Sequence, residues 1–514
     1  YSLYILPSEV REEVSTEEIA KRIENLIGRS AENLLERMKT AERLPFGVIN
    51  LIPNLKFDEI LILEENAHFI PRTFIHVDSV REYPFNDIFS HFIGYTGQIS
   101  PEELSELRRE GYRLRDRIGK AGLERVFDSK LRGRAGYQEI EVGVTGHHRK
   151  IISVLPPEPG TDLLLTIDSE LQRAAARAFG DRAGSVIAMN PSTGEILVWF
   201  SNPGYDPSIF TMPLSREEVA EIFQNPDHPL FNRPIQGQYP PGSVFKIITA
   251  AAALSEGISP EKEYRCDGSI TVGYDKRVFR CWSDTRHGKL NMKEAIAKSC
   301  NVYFYNLALD VGPEAIRKAG EALGLGAPVQ NYFSGEVRGS LPSPEWKKTN
   351  LGAGWNPGDS VNMGVGQGFV LTTPIQILRA VSMVATGGYI ANPSVLKLEV
   401  KDGKLLAGHE PDKLKQGEIS QEILEIIQEG MEMAAQPGGG GTAAWFNVPV
   451  DAAAKTGTAQ NPFGDDHAWF AGYAPAKNPE IAIVVMMENA GFGATHAMPV
   501  ARAVFREYFK EKTL

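Results

Sequence analysis

Three cysteines in 514 residues are too few for a disulfide framework, and their odd number excludes a closed set of bridges within the chain. No apolar run approaches the ~20 residues that a membrane-spanning helix needs. Cationic residues are outnumbered, 54 against 65 acidic, for a net charge of -11 and a pI near 5.6. With no long basic run either, a nucleic-acid partner is disfavoured. Compositional bias is lacking too: 42% hydrophobic and 23% charged residues are ordinary globular proportions. Length alone suggests two to four domains. The chain begins at Tyr1 rather than Met, so an upstream segment, an anchor or a cleaved signal, is expected.

What is present divides at a Pro-rich stretch, Leu155-Pro156-Pro157-Glu158-Pro159-Gly160. Residues 1–155 read as an elongated α+β region without a catalytic cluster. Ile19, Ile23, Leu26 and Ile27 recur at helical spacing, as do Leu34, Leu35 and Met38. A third helix is expected from Glu102 to Arg109, introduced by Ser100-Pro101. Ile60 to Leu63 and Thr73 to Val77 read as strands. His147-His148 has no carboxylate or cysteine beside it and reads as a solvated loop, not a metal site.

Beyond the boundary, residues 160–514 read as an antiparallel sheet with helices on both sides. Leu163 to Ile167 is a predicted strand, followed by a helix capped at Asp168 or Ser169 and running to Phe179. A hairpin is expected from Ser185–Met189 and Glu195–Phe200 about the turn Asn190-Pro191-Ser192-Thr193-Gly194. Ala468–Tyr473 and Ile481–Met487 read as strands, and Val500–Phe509 as a closing helix.

Three short motifs carry chemistry. Ser243-Val-Phe-Lys246 follows Tyr239-Pro240-Pro241-Gly242, start signals for the apolar helix Val244–Leu254. Residues three apart share a helical face, so the Lys246 amine can lie beside Ser243 Oγ. A buried helix presenting serine at its positive end suits a nucleophile and a developing oxyanion. Ser299-Cys300-Asn301 falls between helix-like segments, Met292–Lys298 and Val302–Leu309, and should occupy a loop. Lys455-Thr456-Gly457-Thr458 follows three alanines and leads into the strand-rich end. Separately, each has a bland alternative: chance Ser-x-x-Lys, a helix-cap pair, a glycine turn on an exposed strand.

Together and in this order, the motifs are those of the penicillin-recognising acyl-serine enzymes. From about Asp162 onward the chain resembles the transpeptidase domain of class B penicillin-binding proteins, and the quartet of Cys266, Cys281, His287 and Cys300 points to the elongation-associated type. Ala188 to Leu197, Gly366-Gln367-Gly368 and Thr373-Pro374-Ile375-Gln376 support this. Upstream, Gly122-Leu123-Glu124, Leu131-Arg132-Gly133 and Gly136 look like the family's non-catalytic pedestal. No glycosyltransferase segment is matched.

The resemblance implies a penicillin-binding/β-lactamase-like α+β fold and a peptidoglycan D,D-transpeptidase releasing D-alanine. It implies Ser243 as nucleophile, Lys246 as its base, and Ser299 relaying a proton to the departing D-alanine. Asn301 would hold the stem-peptide amide, while Lys455, Thr456 and Thr458 would bind the terminal carboxylate beside Gly457. Backbone N–H groups of Ser243 and Thr458 would form the oxyanion hole. It further implies β-lactams as ligands, a membrane-embedded SEDS-type glycan polymerase and elongation scaffold proteins as partners, and an upstream single-pass anchor with the catalytic domain outside the cytoplasmic membrane. Competing readings are a β-lactamase or β-lactam sensor, although no residue for a deacylating water is identifiable, and an inactive scaffold.

The cysteines, Cys266, Cys281 and Cys300, all lie between the first motif and the end of the second, with His287 among them. A Cys₃His set matches a structural zinc site, and the looser alternative is one disulfide plus a buried thiol. Some elongation-type relatives look to carry zinc beside the active site, with histidine and cysteine where His287 and Cys300 stand. Carboxylates can supply the other two ligands there, so Asp267 and Asp284 are stand-ins for Cys266 and Cys281. Because Cys300 is the middle of Ser299-Cys300-Asn301, a metal holding it would fix both catalytic neighbours.

Overall fold

The computed structural model describes residues 1–5, 14–41, 49–113, 116–142, 148–211, 216–283, 286–329, 332–410 and 414–510. They form two compact units: 1–82 with 134–158 and 208–213, and 83–133 with 159–207 and 214–514.

In the first unit Ser2–Ile5 is the central strand, paired antiparallel with Ile49–Ile52 and Thr73–His76. Helices Thr16–Ile27 and Ala31–Ala41 follow the expected periodicity and bury Ile19, Ile23, Leu34 and Met38 against Leu3, Ile5 and Leu51. Ile60–Leu63 is not a strand: it lies within the helix Phe57–Glu65. Four successive apolar side chains mimic a strand, yet the Glu59 carboxylate caps the helix start by accepting from Lys56 N at 2.8 Å. Only Leu63 of that run is fully buried. His147 lies outside the described residues.

Residues 83–133 share the second unit's core. Phe92 packs its ring 6.2 Å from Trp199 and 5.8 Å from Phe333. The helix Pro101–Leu107 begins at Ser100, whose hydroxyl accepts from Glu103 N.

The centre of the second unit is a five-stranded antiparallel sheet in the order Ile196–Asn202, Gly184–Met189, Ile481–Met487, His467–Ala474, Ala453–Ala459. The early hairpin thus inserts beside strands nearly three hundred residues later. Helices Ser169–Phe179, capped by Asp168, and Ala497–Tyr508 cover one face through Leu171, Phe179, Val500 and Phe505. Lys246–Ser255 and Pro374–Ala385, both buried almost throughout, belong to the core on the other face. The expected strand near Leu163 forms as Asp162–Leu165, but it pairs with Leu396–Lys401 in a separate three-stranded sheet. Its alternating exposure suits a small outer sheet, whereas the central strands are buried on both faces.

Candidate active site

Three segments remote in sequence meet at one pocket of about 550 Å³, lined by Ser243, Ser299, Asn301, Thr456, Gly457 and Thr458 among others. A second cavity of about 360 Å³, lined by Lys120, Arg125, Asn232 and Gln236, holds none of the motif residues.

Ser243 sits in a 3-10 turn, Gly242–Phe245, directly ahead of the α-helix Lys246–Ser255. In such a turn side chains three apart eclipse, so Ser243 and Lys246 keep one face. The turn is pinned by glycine. Gly242 has φ +53, and a Cβ there would lie 2.6 Å from Thr458 O on the neighbouring strand. Gly242→Ala should therefore destabilise the unit by about 2 kcal/mol and displace the serine. Thermal unfolding and penicillin acylation would both report it, and an unperturbed acylation rate would count against this placement of the turn.

Ser299 and Cys300 link the helices Met292–Ala297 and Asn301–Ala322. Ser299 adopts φ +51, a left-handed conformation costing a non-glycine residue about 1 kcal/mol. Local hydrogen bonds hold it there: Ser299 N donates to Ile296 O, Cys300 N to Ala295 O, and Trp282 Nε1 to Lys298 O. Cys300 caps the second helix, its Sγ accepting from Tyr303 N at 3.5 Å.

The Lys455-Thr456-Gly457-Thr458 motif occupies the edge strand of the central sheet, in register with Ala471-Phe470-Trp469-Ala468. An edge strand leaves one row of backbone groups for an incoming peptide. Gly457 is needed for closeness: a Cβ would meet Trp469 Cβ at 2.9 Å and Val244 Cγ1 at 3.1 Å.

The buried amines converge on one hydroxyl. Lys246 Nζ donates to Ser299 O at 2.7 Å, Asn301 Oδ1 at 2.7 Å and Ser299 Oγ at 3.2 Å. Lys455 Nζ donates to Ser299 Oγ at 2.8 Å and to Thr456 O at 2.9 Å. Both side chains are fully buried. Burial lowers the Lys246 pKa to about 8, against the raising influence of Cys300 and Cys281. Burial first, then repulsion from Lys246, holds Lys455 well below the usual lysine value. No hydrogen bond joins Lys246 to Ser243 Oγ among the described residues. The three amine donors are instead taken by the 299–301 loop, acceptors that helical spacing could not reveal.

Cys266, Cys281, His287 and Cys300 form the second cluster, with their donor atoms within 4.8 Å of one another. The Cys266 and Cys281 sulfurs each lie 3.6 Å from His287 Nδ1. Zn–S near 2.3 Å and Zn–N near 2.0 Å at tetrahedral angles give an edge of about 3.6 Å, so the quartet fits zinc. All three thiols are free rather than disulfide-bonded. A hydrogen bond from Cys300 holds the Cys281 thiol below its ordinary pKa, and the same contact pushes Cys300 up. Asp267 is not in the cluster; it pairs with Arg265 at 3.0 Å. Asp284 lies outside the described residues.

The pocket also draws in residues the sequence reading did not single out. Thr442 donates its backbone N–H to Ala297 O at 3.0 Å, and its hydroxyl is buried without a hydrogen-bond partner. The only sequence signal for it is the preceding glycine run, 438–441. Arg277, Arg280 and Phe492 line the pocket from loops and a hairpin without any motif to mark them.

Comparison with known proteins identifies the family and the fold. The family described as penicillin binding protein transpeptidase domain matches residues 184–510, and the penicillin-binding protein dimerisation domain matches 1–165. The chain is 32% identical to the peptidoglycan D,D-transpeptidase MrdA of Acinetobacter baumannii over 91% of this chain and 71% of that protein. It superimposes on penicillin-binding protein 2 of Helicobacter pylori, solved in complex with MreC, with a TM-score of 0.86 and 25% identity, covering 100% of this chain and 94% of that one. A structure on coordinated polymerization and crosslinking by a peptidoglycan synthase complex matches with a TM-score of 0.76 and 29% identity, covering 99% and 87%. Motifs, sheet and pocket geometry together place this chain in the penicillin-binding protein transpeptidase family.

Proposed function

We propose that the chain is a peptidoglycan D,D-transpeptidase that cross-links stem peptides through an acyl-serine intermediate during cell-wall elongation, and a target of β-lactams. The observation that carries this reading is the shared hydroxyl: Ser299 Oγ accepts from both Lys246 and Lys455 in the pocket that Ser243 lines.

A serine hydroxyl is a weak nucleophile until a base takes its proton. Lys246, its pKa lowered by burial, is assigned that role. Ser243 Oγ attacks the carbonyl of the penultimate D-alanine while its proton passes to Lys246. The resulting oxyanion is held by the N–H groups of Ser243 and Thr458; losing such a donor typically costs ~3 kcal/mol. Collapse breaks the peptide bond, and the departing D-alanine amine receives its proton through Ser299. An amine from a second stem then attacks the acyl-serine, restoring Ser243 and forming the cross-link. Asn301 holds the stem amide, and Lys455, Thr456 and Thr458 take the terminal carboxylate. A carboxylate arriving at Lys455 stabilises its ammonium. That charge in turn disfavours protonation of Lys246, so substrate binding itself readies the base.

Release of D-alanine from a pentapeptide stem, with a dimeric product, tests the reading. Benzylpenicillin turnover within seconds, rather than an adduct lasting hours, would favour a β-lactamase instead.

We assign a structural zinc to Cys266, Cys281, His287 and Cys300. Zinc so held would supply rigidity, tying Cys300 and with it Ser299 and Asn301 to Cys266 and Cys281, which flank the hairpin of Ser269–Val272 and Arg277–Arg280. The expected result is one zinc per chain by elemental analysis. A chelator should lower the unfolding temperature and slow acylation together. Three titratable thiols in metal-free protein of undiminished stability would remove the assignment.

Among the described residues no helix is long and apolar enough to cross a membrane. We place the catalytic unit outside the cytoplasmic membrane, where its substrate lies, held by a single-pass anchor. We further propose an elongation scaffold protein and a SEDS-type glycan polymerase as partners, a reading supported by likeness to the MreC complex and to the peptidoglycan synthase complex.

A further inference from the structure

The motif residues account for the terminal carboxylate of the stem but leave two cations of the same pocket without a task. Arg277 and Arg280 both line it and both are solvent-exposed. Some arginines of this unit are neutralised by a carboxylate: Arg233 pairs with Glu488 at 2.8 Å, Arg265 with Asp267 at 3.0 Å, and Arg317 with Glu314 at 2.9 Å. Arg277 and Arg280 have no ion pair among the described residues, and Arg277 lies over the Phe279 ring at 5.2 Å. Asp466 is the one acidic residue among the described residues lining the pocket.

The strand carrying the pair, Arg277–Arg280, is firmly seated. Among the described residues it pairs only with Ser269–Val272. Phe279 is buried with its ring 5.8 Å from that of Tyr305. The Arg280 carbonyl accepts from Tyr305 Oη at 3.1 Å and from Asn301 Nδ2 at 3.5 Å. The backbone bearing the arginines is thus bonded to the asparagine assigned to the stem amide. Any peptide lying along Asn301 toward Ser243 brings its preceding residues past this strand.

We propose that Arg277 and Arg280 form a subsite for a carboxylate of the stem peptide upstream of the D-alanyl-D-alanine end. The proposal rests on the transpeptidase reading and names the part of its substrate that the motifs leave unread. Two groups share this chemistry: the free carboxylate of a γ-linked D-glutamate at position two, and the side-chain carboxylate of diaminopimelate at position three. Guanidinium is the apt partner because its fork of donors matches a carboxylate.

Soluble pentapeptide stems competing with fluorescent penicillin for Ser243 provide the test. Four stems are needed: D-isoglutamate or D-isoglutamine at position two, combined with diaminopimelate or lysine at position three. Stems bearing the extra carboxylate should protect at concentrations roughly two- to fivefold lower than their counterparts without it, the range expected of exposed charge pairs. That ratio should fall toward one in Arg277→Gln/Arg280→Gln and in about 0.5 M salt, and be partly kept in Arg277→Lys/Arg280→Lys. Which position carries the ratio identifies the source. Equal protection by all four stems, no protection by any, or an unchanged ratio in the glutamine variant would overturn the proposal. Failure of the transpeptidase reading looks different: penicillin labels Ser243, yet no stem releases D-alanine, whatever the protection ratio.

Discussion

Ser243→Ala should abolish covalent capture of penicillin, with the acylation rate falling by about 10⁶, as when a nucleophile acting with its base is removed from a serine hydrolase. The size of the effect follows from what surrounds the site. Ser299 offers another serine hydroxyl in the same pocket, but it is 4% exposed and already accepts from two buried amines. It is also fixed at φ +51, so it cannot advance on the acyl carbon without giving up the loop. Thr458 Oγ1 accepts from Gly493 N at 3.4 Å, and its strand is held in register by the sheet. Intact mass spectrometry decides the matter. Wild type gains one drug molecule and the variant none; a variant that still gains one has another nucleophile.

The second large effect is on the base. Lys246→Met keeps the length of the side chain and removes the amine, and it should slow acylation by ~10³ to 10⁴, the upper range for general-base catalysis. Loss of rate alone would not separate catalysis from a disturbed loop, because Ser299 O and Asn301 Oδ1 lose their donor as well. The pH profile does. Lys246 acts when neutral, and with a pKa of about 8 only about a tenth of molecules are in that form at pH 7. Wild-type acylation should therefore rise nearly tenfold per pH unit below 7 and level off above about 8, while the methionine variant shows a flat profile. A wild-type profile with no limb between pH 6 and 9 would dismiss Lys246 as the base. A stem whose terminal D-alanine carboxylate reaches Lys455 should shift that limb downward relative to a stem amidated there, since a charged Lys455 disfavours charge on its neighbour.

Much of this was readable from residue order. The helices around Ile19 and Leu34, the Asp168-capped helix and the hairpin about Asn190 follow from periodicity and turn chemistry, which act over a few residues. Ile60–Leu63 shows the limit, because an apolar run of four fits either strand or helix until its cap is known. Asp162–Leu165 shows another: strand character was local, but its choice of partner was not.

The motifs by themselves determined which side chains are candidates for the chemistry, because nucleophile, amine and carboxylate-binding hydroxyls are properties of residue type. Only the folded chain decided how they are connected. Lys246 turns from the serine three residues before it to the loop at 299–301, and Lys455 reaches the same hydroxyl from a strand 156 positions away. Arg277 and Arg280 acquire a task only by lying along the pocket wall. Such contacts depend on which surfaces pack together once the core is buried, and no local rule of spacing contains that information.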